Sequence, residues 1–439
     1  MRWSCLTDHF FRKRREERER AAFYENGSLL VEKLIVSCNG KPIPIRTFSP
    51  QQLLQATNNF SSEKLVIGLS VWYKVSLEGR IVLIKGPFVC NAKPIPLPTF
   101  SPQQLPEATN NYPAEHLGFY WYKGSLEGRI VLIRRSDNLT YITINDLVIS
   151  AQMSGHSNVL KPIGCCLHTP SPFFVYEFAA NGVLADRIHV SRVTELQHRP
   201  MVWERRLKIA RQIAHAISYL HTAFPRPVIH LNIDICSILL DEHDIPKLSN
   251  FYFSVSIPEG EAGVDAPFIT RLRSPEFKTA GKVTEKVDVY DFGRFLLELI
   301  TGENSLNITR FTIDKDSTLV AYIHNRAQGS CINEIVDPAI LAEDGEGGAS
   351  LEHQLQAVLD LALTCTEEDP QTRPTMVDVT KQLRRIERFT QTSEVLLGNL
   401  HNLKFRESFE EHDSASLKRN ASSDEIQAVN EASKRPLEV

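Results

Sequence analysis

Residues 230–252 read HLNIDICSILLDEHDIPKLSNFY. Two short apolar runs, Ile238-Leu239-Leu240 and Pro246-Lys247-Leu248, flank a polar turn at 241–244, the pattern of a small β-hairpin. Upstream, residues 203–222 carry Leu207, Ala210, Ile213, Ala214, Ile217 and Leu220 on one helical face. Residues 172–178 read as a buried strand and residues 145–153 as a helix, and 285–300 and 351–364 are again helical. A strand-rich first part followed by a helix-rich second part predicts an α+β architecture of two unlike lobes with a cleft between them.

Composition narrows the function classes. The chain has 439 residues, 42% apolar and 23% charged, within the ordinary globular range. Its net charge of -4 is too mild to argue for nucleic acid, and no basic stripe is interleaved with aromatic residues. No apolar run approaches the length of a membrane span. The start, Met1-Arg2-Trp3-Ser4-Cys5, lacks an apolar signal core and a Gly at position 2. Eight cysteines lie scattered without metal-type spacing, so they read as reduced thiols and the chain as cytoplasmic. Residues 12–20 (RKRREERER) form a mixed-charge helix next to Cys5, which leaves peripheral association with the plasma membrane as an expectation.

A duplication follows. TFSPQQLLQATNNF at 47–60 returns as TFSPQQLPEATNNY at 99–112, and WYKVSLEGRIVLIK at 72–85 returns as WYKGSLEGRIVLIR at 121–134. The offset falls from 52 to 49, so the second copy has lost three residues in between. Two copies are too few for a stacked repeat array. A segment needed only once has been copied. Using copy one in the fold would loop out far more chain before the 145–153 helix than usual connections do, so copy two is expected to supply the strands.

Across residues 115–390 the ordered motifs resemble a eukaryotic protein kinase: His230-Leu231-Asn232 with Asn250-Phe251-Tyr252, then SPEF (274–277), DVYDFG (288–293) and TRP (372–374). The chain is similar to plant receptor-like cytoplasmic kinases of the wall-associated type. Residues 27–60 resemble the leader of the ZRK pseudokinases, which are adaptors of a coiled-coil NLR immune receptor. The resemblance implies a two-lobed kinase fold divided into a leader (1–46), a duplicated segment (47–98), an N-lobe (99–178), a C-lobe (179–390) and a polar, disordered tail (391–439).

Laid on this chain, the kinase parts are degenerate. The base is Asn232, which cannot accept a proton. Leu231 stands for the Arg that would hold an activation-loop phosphate, Asp234 for the loop Lys, and Ser237 for the Asn that binds the second metal. Asn250 replaces the anionic metal ligand, and Tyr252 replaces a Gly. The phosphate-binding Lys is Lys85 in copy one and Arg134 in copy two, and the helix Glu that pairs with it aligns with Asp146. Arg134 and Asp146 compensate each other in length, so an ion pair is expected. Asp291-Phe292-Gly293 spells a metal motif but opens an apolar helix, and is not read as one.

Scaffold positions are kept: Glu276 and Arg373 as a buried pair, Asp288 and Gly293 in an anchoring helix, Trp203 at the start of the long helix. The implied function is that of a catalytically inactive adaptor or decoy in plant immunity. Expected partners are the leucine-rich-repeat region of an NLR receptor, active receptor-like cytoplasmic kinases and pathogen effectors. No nucleic acid, metal or cofactor is expected, with ATP binding in the absence of Mg²⁺ left open. The alternatives are a weakly active or ATP-binding serine/threonine kinase with Asp234 as a displaced base, and a non-functional duplicated gene product.

Overall fold

The computed structural model describes residues 2–38, 43–56, 64–66, 70–77, 80–87, 120–135, 140–169, 172–189, 201–265, 274–276, 282–304, 318–326, 332–342 and 348–388. The expected tail, 391–439, lies outside the described residues. The chain divides into two compact units, Met1–Arg384 and Arg385–Val439, and the architecture that follows is that of the first.

A long helix α1 (Arg2–Cys38) precedes strand β1 (Arg46–Thr47), helix α2 (Pro50–Ala56) and strand β2 (Lys64–Val66). The duplicated segments form two hairpins, β3 (Ser70–Leu77) with β4 (Arg80–Pro87) and β5 (Tyr120–Leu126) with β6 (Arg129–Arg135). Helix α3 (Thr140–Gln152) and strands β7 (Pro162–Cys166) and β8 (Phe173–Glu177) complete the N-lobe. Its sheet has six strands in the order β1-β7-β8-β6-β5-β2, with β1 parallel to β7. The parallel approach of β1 demands Gly164, because a Cβ there would sit 2.2 Å from the Arg46 carbonyl oxygen. The β5–β6 turn has positive φ at both Glu127 and Gly128, the geometry that matches strand twist in two-residue hairpins.

Copy two supplies the strand beside β8, with Val131 opposite Glu177 and Arg135 opposite Phe173. The same sheet also takes β1 and β2 from the chain before residue 98, and β2 pairs with β5 of copy two. Phe48 and Leu53 of copy one pack in one cluster with Val131 and Ile133 of copy two, plus Cys166, Phe173 and Val175. The reason is packing: the leader that fills the sheet face is the one continuous with β1. Helix α1 is tied to the N-lobe. The Asn26 amide donates to the carbonyls of Leu167 (2.8 Å) and Thr169 (2.9 Å), Phe23 stacks on His168, and Gln152 of α3 donates to Cys38.

The C-lobe is helical: α4 (Leu184–Ile188), α5 (Trp203–Thr222), α6 (Lys286–Thr301), α7 (Leu319–Arg326), α8 (Pro338–Leu341), α9 (Gly348–Cys365) and α10 (376–388). Among the described residues four strand pairings lie outside the main sheet: β9 (Val228–Ile229) with β12 (Val255–Ser256), β10 (Ile238–Leu240) with β11 (Pro246–Leu248), β13 (Val264–Asp265) with β14 (Lys282–Val283), and β3 with β4. The β10–β11 hairpin falls where the sequence places it, with Leu239 opposite Lys247. Among the described residues no helix is long and apolar enough to cross a membrane.

Candidate functional site

In the buried stretch 144–149 of helix α3 the adjacent pair Asn145-Asp146 stands among Ile144, Leu147, Val148 and Ile149, and both side chains are buried. Burying a charged group is tolerated only when it is fully paired. Asp146 accepts from the Arg134 guanidinium on β6, from the Tyr176 hydroxyl on β8 (2.6 Å) and from the Phe251 N–H. Arg134 and Asp146 are thus ion-paired, with both side chains withdrawn from solvent. The Asn145 amide converges on three carbonyls, Phe251 (3.0 Å), Tyr252 (3.1 Å) and Ser254 (2.9 Å). One turn of α3 therefore holds the backbone of the 250–254 segment from two sides.

Tyr252 fills the space that a Gly would leave open. Its hydroxyl donates to the Asn250 side-chain oxygen and accepts from Arg134 at 3.4 Å. Its ring lies 4.8 Å from the Arg134 guanidinium carbon, and the Tyr176 ring lies 5.5 Å from it. Burial opposes the Arg134 charge, but Asp146 and the two phenols hold it above its ordinary value; burial likewise pushes both phenols up. Asn250 adopts left-handed backbone (φ 70), which Asn tolerates better than most residues.

The loop before the hairpin is tied internally. Asp234 caps the short turn 235–237, its carboxylate accepting from Cys236 N–H at 2.7 Å, while Ser237 Oγ accepts from Asp234 N–H at 3.1 Å. The Ser237 carbonyl receives both the N–H and the hydroxyl of Ser249. His230 receives the Asn232 N–H on Nδ1 (3.2 Å), so its Nε2–H donates to the Ser249 carbonyl (3.2 Å). Burial lowers the His230 pKa, which keeps it neutral in that role. The structure thereby links Asn232, Asp234 and Ser237 through one hydrogen-bonded loop, and Arg134, Asp146 and Asn250 through Tyr252. Lys85 is on β4, outside the six-stranded sheet.

As a donor set for Mg²⁺ these residues do not fit. Hard cations favour carboxylate oxygens. Here the Asn250 amide oxygen and the Ser237 hydroxyl are neutral and already bonded within the protein, and the Asp234 carboxylate is engaged as a cap. No group of three or more His, Cys, Asp or Glu among the described residues could hold a metal.

The scaffold positions behave differently. Asp288 on α6 receives the N–H groups of His230 (2.7 Å) and Leu231 (2.9 Å) and the ring of His221 (2.8 Å). Asp291 pairs with Arg294 at 2.9 Å. Arg373 grips both oxygens of Glu276, at 2.7 and 2.8 Å. Gly293 lies so close to α9 that a Cβ would meet Cys365 Cβ and Thr366 Cγ2 at 2.7 Å. Leu231, held at φ 62, sits in an apolar cluster with Ile229, Ile257, Val283 and Val287. Phe253 and Val255 of the segment after Asn250 pack against that cluster. Asn145, Tyr176 and the hydrogen bonds of Tyr252 to Arg134 and Asn250 escape a reading based on kinase motifs. The signal that could have found Asn145 is a polar pair inside the apolar run 144–149.

Residues 137–383 match the family model "Protein tyrosine and serine/threonine kinase", more than half of the chain. Three similar proteins of Arabidopsis thaliana are each 34% identical. They are "Serine/threonine-protein kinase ZRK1" (85% of this chain, 95% of the relative), "Non-functional pseudokinase ZRK2" (85% and 92%) and "Non-functional pseudokinase ZED1" (83% and 96%). With its two lobes and these relatives, the chain belongs to the protein kinase family, in the ZRK group of kinases and pseudokinases.

Proposed function

We propose that this chain is a pseudokinase that works by binding other proteins, as an adaptor or decoy in plant immune signalling. The observation that carries the reading is where the side chains at the catalytic and metal positions are spent. Asp234 caps a turn, Ser237 closes that cap, and Asn250 is bonded to a tyrosine standing where phosphate contacts belong. Phosphoryl transfer relies on positioning and electrostatics from a base, metal ligands and a phosphate clamp acting together. Asn232 offers no base, and the Asp234 carboxylate that could replace it is turned to Cys236. Several relatives bear the names non-functional or inactive, which supports the same reading.

A binding role needs a surface. Helix α1, fixed to the N-lobe by Asn26 and Phe23, leaves Tyr24, Val31 and Ile35 more than half exposed, at i, i+7 and i+11 on one helical face. Contiguous apolar exposure on a fixed element marks interaction sites. The leucine-rich-repeat region of an NLR receptor is the partner assigned to this stripe, with active cytoplasmic kinases and bacterial effectors meeting other faces.

Co-precipitation from plant tissue tests the adaptor role. The native chain should retain an NLR receptor, and Val31→Glu with Ile35→Glu should release it while melting unchanged. Retention of the receptor by the double variant would remove the stripe from the account. ZRK1, named a kinase, favours the second reading of a weak enzyme. Mg²⁺-dependent phosphate incorporation by the unmodified protein would establish that reading instead.

A further inference from the structure

The two hairpins are interchangeable on paper and only one of them is in the sheet. Adding 49 to the β3–β4 pairs from Val71↔Gly86 to Leu77↔Arg80 reproduces the β5–β6 register: Trp72↔Lys85 becomes Trp121↔Arg134, and Leu77↔Arg80 becomes Leu126↔Arg129. Over 72–85 and 121–134 the sequences differ only at Val75/Gly124 and Lys85/Arg134, and the flanking pair is Val71–Gly86 in one hairpin and Tyr120–Arg135 in the other. The residues that β6 buries in the core, Val131, Leu132 and Ile133, are repeated in β4 as Val82, Leu83 and Ile84.

The connections do not favour one arrangement. In the observed sheet, β2 pairs with β5, so residues 67–119 form the excursion between neighbouring strands. Were β3–β4 in the sheet, the same pairing moved back by 49 would set Val66 opposite Val71. Four residues, 67–70, would then join the two strands, an ordinary hairpin loop. The excursion would shift to residues 88–139, nearly the same length. Loop-closure entropy varies only with the logarithm of length, so it cancels between the two. The side chains that differ pull in opposite directions. Val75 suits a strand better than Gly124. Arg134 makes a forked contact to Asp146 and Tyr252 and lies beside two aromatic rings, which the point charge of a Lys would reproduce only in part.

We propose that the N-lobe is a strand-exchange switch: the hairpin Ser70–Pro87 competes with the hairpin Tyr120–Arg135 for the single slot between β2 and β8. Exchange puts the primary amine of Lys85 beside Asp146 in place of the Arg134 guanidinium. One sequence position thus carries two different cations, selected by which copy is docked. A two-stranded hairpin alone is marginal in water, so the excluded copy exchanges its amide protons fast and the docked copy slowly. The inference is independent of whether the protein binds an immune receptor.

Hydrogen exchange read by mass spectrometry on the full chain tests it, since peptides 80–87 and 129–135 differ in mass. In the native chain 129–135 and 173–177 should be protected and 80–87 largely unprotected. Leu132→Pro removes a ladder bond from the docked copy. Protection should then move to 80–87 while 173–177 stays protected, and Leu83→Pro added to it should expose all three segments. Lys85→Arg, which leaves the fold intact, should raise protection of 80–87 at the expense of 129–135. The proposal is overturned if Leu132→Pro exposes 173–177 as fully as the double variant does. It is equally overturned if Lys85→Arg leaves both hairpins exchanging as in the native chain.

Discussion

Arg373 donates to both oxygens of Glu276 and to the carbonyls of Glu367, Lys286 and Glu368, with its guanidinium 4.9 Å from the Tyr290 ring. Removing one partner of a buried pair typically costs about 3–5 kcal/mol, because the other charge is left stranded. Arg373→Ala should therefore melt at a sharply lower temperature, and an unchanged melting curve would contradict the buried assignment. Gly293 is constrained by space alone: Gly293→Ala drives a methyl into Cys365 and Thr366, and overpacking of this kind costs about 1–3 kcal/mol. Chemical denaturation would register it as a lower midpoint at constant slope. At Tyr252 the question is one of chemistry, since its ring occupies the cleft between Arg134 and Asn250.

At the scale of elements, the junction of α3 with α5 carries a titration. His156 accepts the Asn158 N–H on Nδ1 (3.1 Å) and so donates through Nε2 to His215 Nδ1 (2.9 Å). Burial, then the neighbouring His215, lower the His156 pKa to about 4. Its unfolded value is about 6.5, so between these values the unfolded chain takes up a proton that the folded chain refuses. The contribution is present above about pH 6.5 and is lost as the pH falls toward 4. Stability measured over that window should fall, and His156→Gln should flatten the slope; equal slopes would exclude the pair. Helix α2 allows a separate check on which copy fills the sheet face. Leu53 is fully buried there, and Leu→Ala in a core costs about 2–5 kcal/mol. Leu53→Ala should destabilise by this order. Were the second leader in that place, Leu105→Ala would show the loss instead.

For the molecule as a whole, the inactive reading makes a strict prediction about repair. Asn232→Asp restores a base but leaves Asn250, Ser237 and the Tyr252 plug as they are. Adding Asn250→Asp restores one anionic ligand beneath the same plug. Catalytic groups act as a unit, so mending one or two recovers little while the others are missing. Neither revertant should incorporate phosphate above a mock preparation in a Mg²⁺-dependent assay. Incorporation by the single revertant would mean a cleft far more open than the buried Arg134–Asp146–Tyr252 network implies.

The sequence by itself was enough for the fold, because the fold rests on local information. Periodicity placed α5 at 203–222 and the β10–β11 hairpin at 238–248, and residue type alone says that Asn232 cannot take a proton. It was also enough to pair Glu276 with Arg373 across nearly a hundred residues, since ordered motifs carry that distance. What the tertiary structure alone decided is how the duplicated chain is shared out. Two near-identical hairpins have the same propensities and the same pattern, so nothing local distinguishes them; contacts with β8, Asp146 and Tyr252 do. The same holds for Asn145 and Tyr252. A polar residue in an apolar run and a Tyr in place of a Gly acquire their meaning from the carbonyls and the guanidinium that folding brings against them.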